Sequence, residues 1–225
     1  MNRRRFLCLS AAALAPLPGH AGTVTTWEGS GLGTSLSLRL VGTDPHRARQ
    51  CFARVESEIA RIQTLASLHR DSALTRLNRD GHLAWPSPDL IDLLTLAGQV
   101  HAATGGAFEP TVQPLWLALA NGTDREKARA LIGWDRIRLS PEGLRLDAGQ
   151  ALTLNGIAQG WAADRIADLL RAQGFTEALV DMGEIAALGE SGWPARITGP
   201  DGTALAETRL TNRALATSSP RGTLV

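Results

Sequence analysis

Two stretches of this 225-residue chain set side chains with chemical potential beside backbone-bending residues. Residues 106–116, GAFEPTVQPLW, place the ring of Phe108, the carboxylate of Glu109 and the hydroxyl of Thr111 among Pro110 and Pro114. Prolines break regular structure, and a stiffened loop can hold a ring and a carboxylate against a ligand at low entropic cost. A proline-rich connection covering the edge of a core has the same composition, so the pattern alone leaves both readings open.

Residues 152–174, LTLNGIAQGWAADRIADLLRAQG, run from an apolar strand through Gly156 and Gly160 into a helix. Amides at a helix N-terminus carry partial positive charge and accept a phosphate without needing a lysine. The glycine spacing is neither the dinucleotide fingerprint nor a Walker loop, and a plain strand-turn-helix crossing would contain such glycines too. Residues 67–78, SLHRDSALTRLN, read as a loop on their own, and His69 as a surface histidine.

Other segments must position these. Leu36, Leu38 and Leu40 alternate with polar residues, as in a half-buried strand. Asp44 and Pro45 open a helix with a stripe of Phe52, Val55, Ile59 and Ile62. Ser87, Pro88 and Asp89 start a second helix carrying Leu90, Leu93, Leu94 and Ala97. Residues 136–146 form a hairpin around Ser140, Pro141, Glu142 and Gly143, and a third helix spans 156–174 with Trp161, Ile166, Leu169 and Leu170 inward. Short strands near 178–182 and 195–198 complete an α+β fold with a mostly antiparallel sheet.

Residues 1–21 read as an export signal of twin-arginine type, with Arg3, Arg4 and Arg5 before an apolar run. That run is shorter than the roughly 20 residues that span a bilayer, so no membrane span is expected once it is removed. Without those three arginines the 23 basic residues fall to 20 against 22 acidic ones, which leaves no nucleic-acid footprint. Cys51 is then the remaining cysteine, placed for a core.

Taken together, residues 31–220 resemble the FAD:protein FMN transferases, the ApbE family. The resemblance rests on Gly33–Thr34, the RLN ending at Asn78, GAFEPTVQPLW, NGIAQG followed by Asp164, VDMGEIAALG at 180–189 and ATSS at 216–219. It implies a two-subdomain, T-fold-like α+β fold holding FAD in a cleft. It also implies magnesium-dependent transfer of the FMN moiety to a threonine of an acceptor flavoprotein, with release of AMP, by a periplasmic enzyme whose domain spans 22–225. On this resemblance Leu32, His69, Ala107, Phe108, Glu109, Thr153, Gln159 and Thr217 contact FAD, and the Gly156 carbonyl binds magnesium.

The match is imperfect. His69 replaces a common tyrosine, Glu109 an aspartate, Thr153 an aspartate and Gln159 a lysine; the last two changes together imply a neutral pair in place of an ion pair. The family's closing segment, whose aspartate and threonine complete the metal site, is expected beyond Val225. A magnesium-dependent FAD pyrophosphatase and a noncatalytic periplasmic flavin-binding protein are the alternatives.

Overall fold

The computed structural model describes residues 22–199 and 202–217; the expected export signal and Ser218 to Pro220 lie outside them. In chain order the elements are β1 (Val24–Gly31), β2 (Thr34–Val41), α1 (Pro45–Ala66), α2 (Ala73–Asp80), β3 (His82–Ala84) and α3 (Pro88–Ala103). There follow α4 (Gln113–Asn121), α5 (Arg125–Arg129), β4 (Arg138–Ser140), β5 (Gly143–Arg145) and α6 (Ala158–Ala172). The last are β6 (Ala178–Asp181), β7 (Ile185–Leu188), β8 (Trp193–Thr198), β9 (Ala204–Leu210) and β10 (Ala214–Leu215). Among the described residues, no helix is long and apolar enough to cross a membrane.

Described residues up to Ile59, with those from Gln159 onward, form one compact unit; Ala60–Ala158 form a second. The first unit holds a sheet of order β1-β2-β6-β7-β10, antiparallel throughout. Leu36, Leu38 and Leu40 are buried, as period-2 alternation requires. Trp193 of the β8–β9 hairpin clusters with Leu179, Ile185, Ala187, Ala195 and Leu210. Its indole Nε1 donates to Leu188 O at 3.1 Å, which satisfies the polar atom of an otherwise apolar side chain.

Asp44 caps α1, its Oδ1 accepting from the amides of His46 and Arg47 at 3.0 Å each. The buried stripe is Ala48, Cys51, Val55, Ile59 and Ile62. Phe52, expected on it, is half-buried at its flank, because the spacing of three and four residues runs through Cys51. Burial pushes the Cys51 thiol up to about 11. Helix α6 starts two residues later than expected, since residues 155–157 form a turn first. It buries Trp161, Ala162, Ala163, Ile166, Ala167 and Leu170, whereas Leu169 is half-buried.

In the second unit α3 begins as its cap chemistry dictates, with Ser87 Oγ accepting from the Leu90 amide at 3.3 Å and Pro88 in the first turn. Strands β3, β5 and β4 place Leu83, Leu144 and Leu139 side by side. Two prolines expected to break structure instead start it: Pro110 opens a 3₁₀ turn and Pro114 lies in the first turn of α4. Neither needs an amide there. The segment read as a loop contains α2. A capping box closes its start, with the Thr75 amide donating to Ser72 Oγ at 3.0 Å and the Ser72 amide to Thr75 Oγ1 at 2.8 Å. Left-handed Gly81 ends it, its amide donating to Leu77 O at 2.9 Å.

Ser72 is fully buried and also donates to Ser67 O at 2.6 Å. Ser72→Ala is therefore expected to lower unfolding free energy by about 1–2 kcal/mol, read from urea denaturation against the parent.

Candidate functional site

The residues singled out by sequence fall into two clusters, one in each unit. In the second unit, the chain leaves α3 through left-handed Gly105 and Gly106 and is tied back at once. The Phe108 amide donates to Thr104 Oγ1 at 3.0 Å, and the His101 ring nitrogen Nδ1 lies 2.8 Å from Phe108 O. Both backbone groups of Phe108 are thereby engaged, so its half-buried ring has a fixed root.

Glu109 serves the loop itself. Its Oε1 accepts from the amide and the hydroxyl of Thr111 at 2.9 and 2.5 Å, while Oε2 lies 3.5 Å from His101 Nδ1. Thr111, fully buried, in turn accepts from the Gly133 amide at 2.8 Å. Glu109 thus caps the 3₁₀ turn, a partner set that the sequence reading did not foresee. Ala107, which precedes Phe108, is exposed.

The glycine turn is bound to this loop. The Thr153 amide donates to Pro110 O at 2.8 Å, and a side chain added at Gly156 would come within 3.1 Å of Phe108 Cε2. Residues 151–154, expected as an apolar strand, lie outside any strand; Asn78 holds this segment instead, donating to Leu152 O at 2.8 Å and accepting from the Leu152 amide at 2.7 Å. This gives the RLN motif a structural task. His69, by contrast, is exposed and bonds through its backbone to Ser67 Oγ at 3.1 Å.

The turn's amides are less open to an anion than the glycine pattern implied. Asn155 N donates to Thr153 Oγ1 at 3.3 Å, and the amides of Ile157 and Ala158 donate to Leu154 O at 3.0 and 2.8 Å. Thr153 thus closes a local turn. For magnesium, Gly156 offers one carbonyl oxygen, and among the described residues no group of three or more His, Cys, Asp or Glu could hold a metal. Magnesium takes six oxygens, usually including substrate phosphates and water. The residues present thus fit at most a metal carried largely by its substrate.

In the first unit, Leu32 and Gly33 form the two-residue turn joining β1 to β2, with φ of 52° and 82°. Gln159 Nε2 donates to Leu32 O at 3.3 Å. The turn between β6 and β7 lies against Gln159 at Gly183, whose amide donates to Asp181 Oδ1 at 3.0 Å. The Thr217 amide donates to Glu184 Oε2 at 3.1 Å. Burial pushes the carboxyls of Asp181 and Glu184 above their ordinary values, and the Asp181 charge adds to the effect on Glu184. Neither acid stood out in the sequence, since VDMGEI reads as strand and turn.

Residues 32–223 match the model of the ApbE family. The chain is 30% identical over 205 residues to the FAD:protein FMN transferase of Salmonella typhimurium, spanning 80% of this chain and 59% of that protein. For the enzyme of the same name from Escherichia coli strain K12, identity is 27%, spanning 75% of this chain and 53% of that one. The chain therefore spans little more than half the length of these relatives. Flavin transferase ApbE from Vibrio cholerae superposes with a TM-score of 0.77 at 23% identity, covering 88% of this chain and 72% of that one. Likewise, flavinyl transferase ApbE from Pseudomonas stutzeri gives 0.73 at 24%, covering 88% and 68%. These likenesses fix the fold.

A carboxyl whose folded pKa is raised stabilises the fold only while protonated, and that contribution is lost as pH rises through the folded value. Asp181→Asn keeps an acceptor for the Gly183 amide and carries no charge. The variant's unfolding free energy should gain on the parent's as pH rises from about 4 to neutrality. Chemical denaturation across that range checks it; a constant difference contradicts the assignment.

Proposed function

The chain belongs to the ApbE family, and on that premise we propose that it transfers the FMN moiety of FAD to a threonine hydroxyl of an acceptor flavoprotein, releasing AMP. The observation that carries this reading is the packing of Phe108 against the side-chain-free backbone of Gly156. An aromatic ring with a fixed root offers a face to an isoalloxazine, and a bare turn lets a diphosphate approach the backbone closely.

In this reading Phe108, Ala107 and His69 line the flavin, with Glu109 holding the loop in shape. The turn carrying Thr153 and Gly156 faces the diphosphate, while Leu32, Gln159 and Thr217 keep the FAD contacts that the family resemblance implies for them. The acceptor hydroxyl attacks the phosphorus of the FMN half. A phosphoester bond forms, the bond to the AMP phosphate breaks, and the hydroxyl proton is released. The protein's part is orientation, since holding both reactants in line removes much of the entropic barrier. Magnesium, when bound at the Gly156 carbonyl, would neutralise charge on the diphosphate. Residues 1–21 direct the protein to the periplasm in this reading, leaving 22–225 as the flavin-transferring domain.

Mixing the protein with FAD, magnesium and an acceptor bearing the target threonine should leave flavin fluorescence on the acceptor in a denaturing gel. Free FMN and AMP with unlabelled acceptor would mean hydrolysis, and intact FAD would mean binding alone. Phe108→Ala should weaken FAD binding about tenfold, as expected for losing one aromatic contact, with the unfolding midpoint little changed. Equal affinities in fluorescence titrations would remove Phe108 from the site.

A further inference from the structure

We propose that the exposed face of the β3–β5–β4 sheet docks an acidic segment of a partner protein, with Arg138 and Arg145 taking its carboxylates and Trp85 an apolar side chain beside them. Arg145 of the central strand stands directly opposite His82 on one side and Arg138 on the other, and all three are exposed. Side chains opposite each other across antiparallel strands share a face with β-carbons about 5 Å apart, and like charges so placed destabilise the sheet. Among the described residues, neither guanidinium has a hydrogen-bond or ion-pair partner. The apolar row of Leu83, Leu144 and Leu139 lies one position along each strand and so on the opposite face. Packing of the unit therefore does not call for the two arginines.

Trp85 follows β3 and is tied to the same sheet, its amide donating to Glu142 O at 3.0 Å in the turn between β4 and β5. It is 77% exposed and has a φ of 50°. Bulky residues rarely hold a left-handed backbone, and a following proline favours extended backbone at this position. An indole kept strained and in water adds little to the fold. Covered by a partner, it becomes the kind of anchor, tryptophan beside arginine, that dominates protein–protein contacts.

Charge complementarity selects the partner. An open groove of about 520 Å³ borders the row, with Asp80, His82, Arg145 and Asp147 among its walls. Both of these carboxylates are engaged by other arginines. Arg79 holds Asp80 through two contacts of 2.8 Å, and Arg136 Nε lies 3.9 Å from Asp147 Oδ2. A carboxylate arriving at Arg138 and Arg145 thus meets two cations not otherwise engaged. A nucleic-acid backbone spreads its charge along its whole length and would be carried over Asp80 and Asp147 as well. A short acidic stretch of polypeptide with a large apolar side chain fits the face better.

The probe is a fluorescein-labelled peptide alternating glutamate and leucine, titrated with the whole chain and followed by fluorescence anisotropy. FAD is left out, so the result is independent of the flavin reading. The parent should bind this peptide, and the same peptide with glutamine for glutamate about tenfold more weakly. The double variant Arg138→Gln, Arg145→Gln should weaken binding about tenfold, and Trp85→Asn by a similar factor. Urea midpoints should not fall in either, because the first removes a like-charge pair and asparagine accepts a left-handed backbone. A marked fall would give these residues a structural task and overturn the proposal. A parent that fails to bind the peptide, or variants that bind it as the parent does, would overturn it as well. So would tighter binding of a single-stranded DNA oligonucleotide of equal length, which would assign the face to nucleic acid.

Discussion

Phe108 can stand as close as it does to the glycine turn without giving way because residue 156 has no side chain. A β-carbon there would come within 3.1 Å of the ring, tighter than a comfortable carbon contact. Around that approach the second unit is organised from several directions. Thr104 and His101 hold the backbone of Phe108, the Thr153 amide ties the glycine turn to Pro110, and Asn78 grips the segment at Leu152 that leads into it. Buried Gln150 adds a further tie, with its amide nitrogen donating to Leu131 O and Gly133 O at 3.2 and 2.8 Å. The aromatic ring and the turn are thus one rigid object, and a ligand meeting them loses little additional entropy in ordering them.

What the sequence disclosed follows the range of the forces involved. The start of α3 was readable because serine, proline and aspartate act within one turn of where they stand. Leu36, Leu38 and Leu40 announced a strand because alternation is local to it. Helix α2 escaped notice because it is eight residues long and its reciprocal cap uses Thr75 where the usual signature has Glu or Gln. Strand β1 was missed for a related reason. Its residues are half-exposed or exposed throughout, so it carries no buried apolar row to betray it.

The site divides along the same line. The closeness of Phe108 and Gly156 was expected from two motifs read together through a family resemblance, although residue chemistry alone left each ambiguous. The tasks of Glu109, Thr153 and Gln159 were not legible, because each is decided by a partner. Glu109 turns to its own Thr111 amide, Thr153 closes a turn on Asn155, and Gln159 reaches Leu32 across 127 positions. Polar side chains advertise their capacity in a sequence, and only tertiary structure says where it is used.

Cys51 has no role in any of this chemistry, yet its burial has a practical consequence. A fully covered thiol with its pKa raised to about 11 is almost wholly protonated at neutral pH, and thiolate is the species that alkylating and disulfide reagents attack. Labelling must wait for α1 to lift away from its packing. The rate at which a colorimetric thiol reagent consumes Cys51 is therefore a native clock for opening of the first unit, with no dye or engineered probe required.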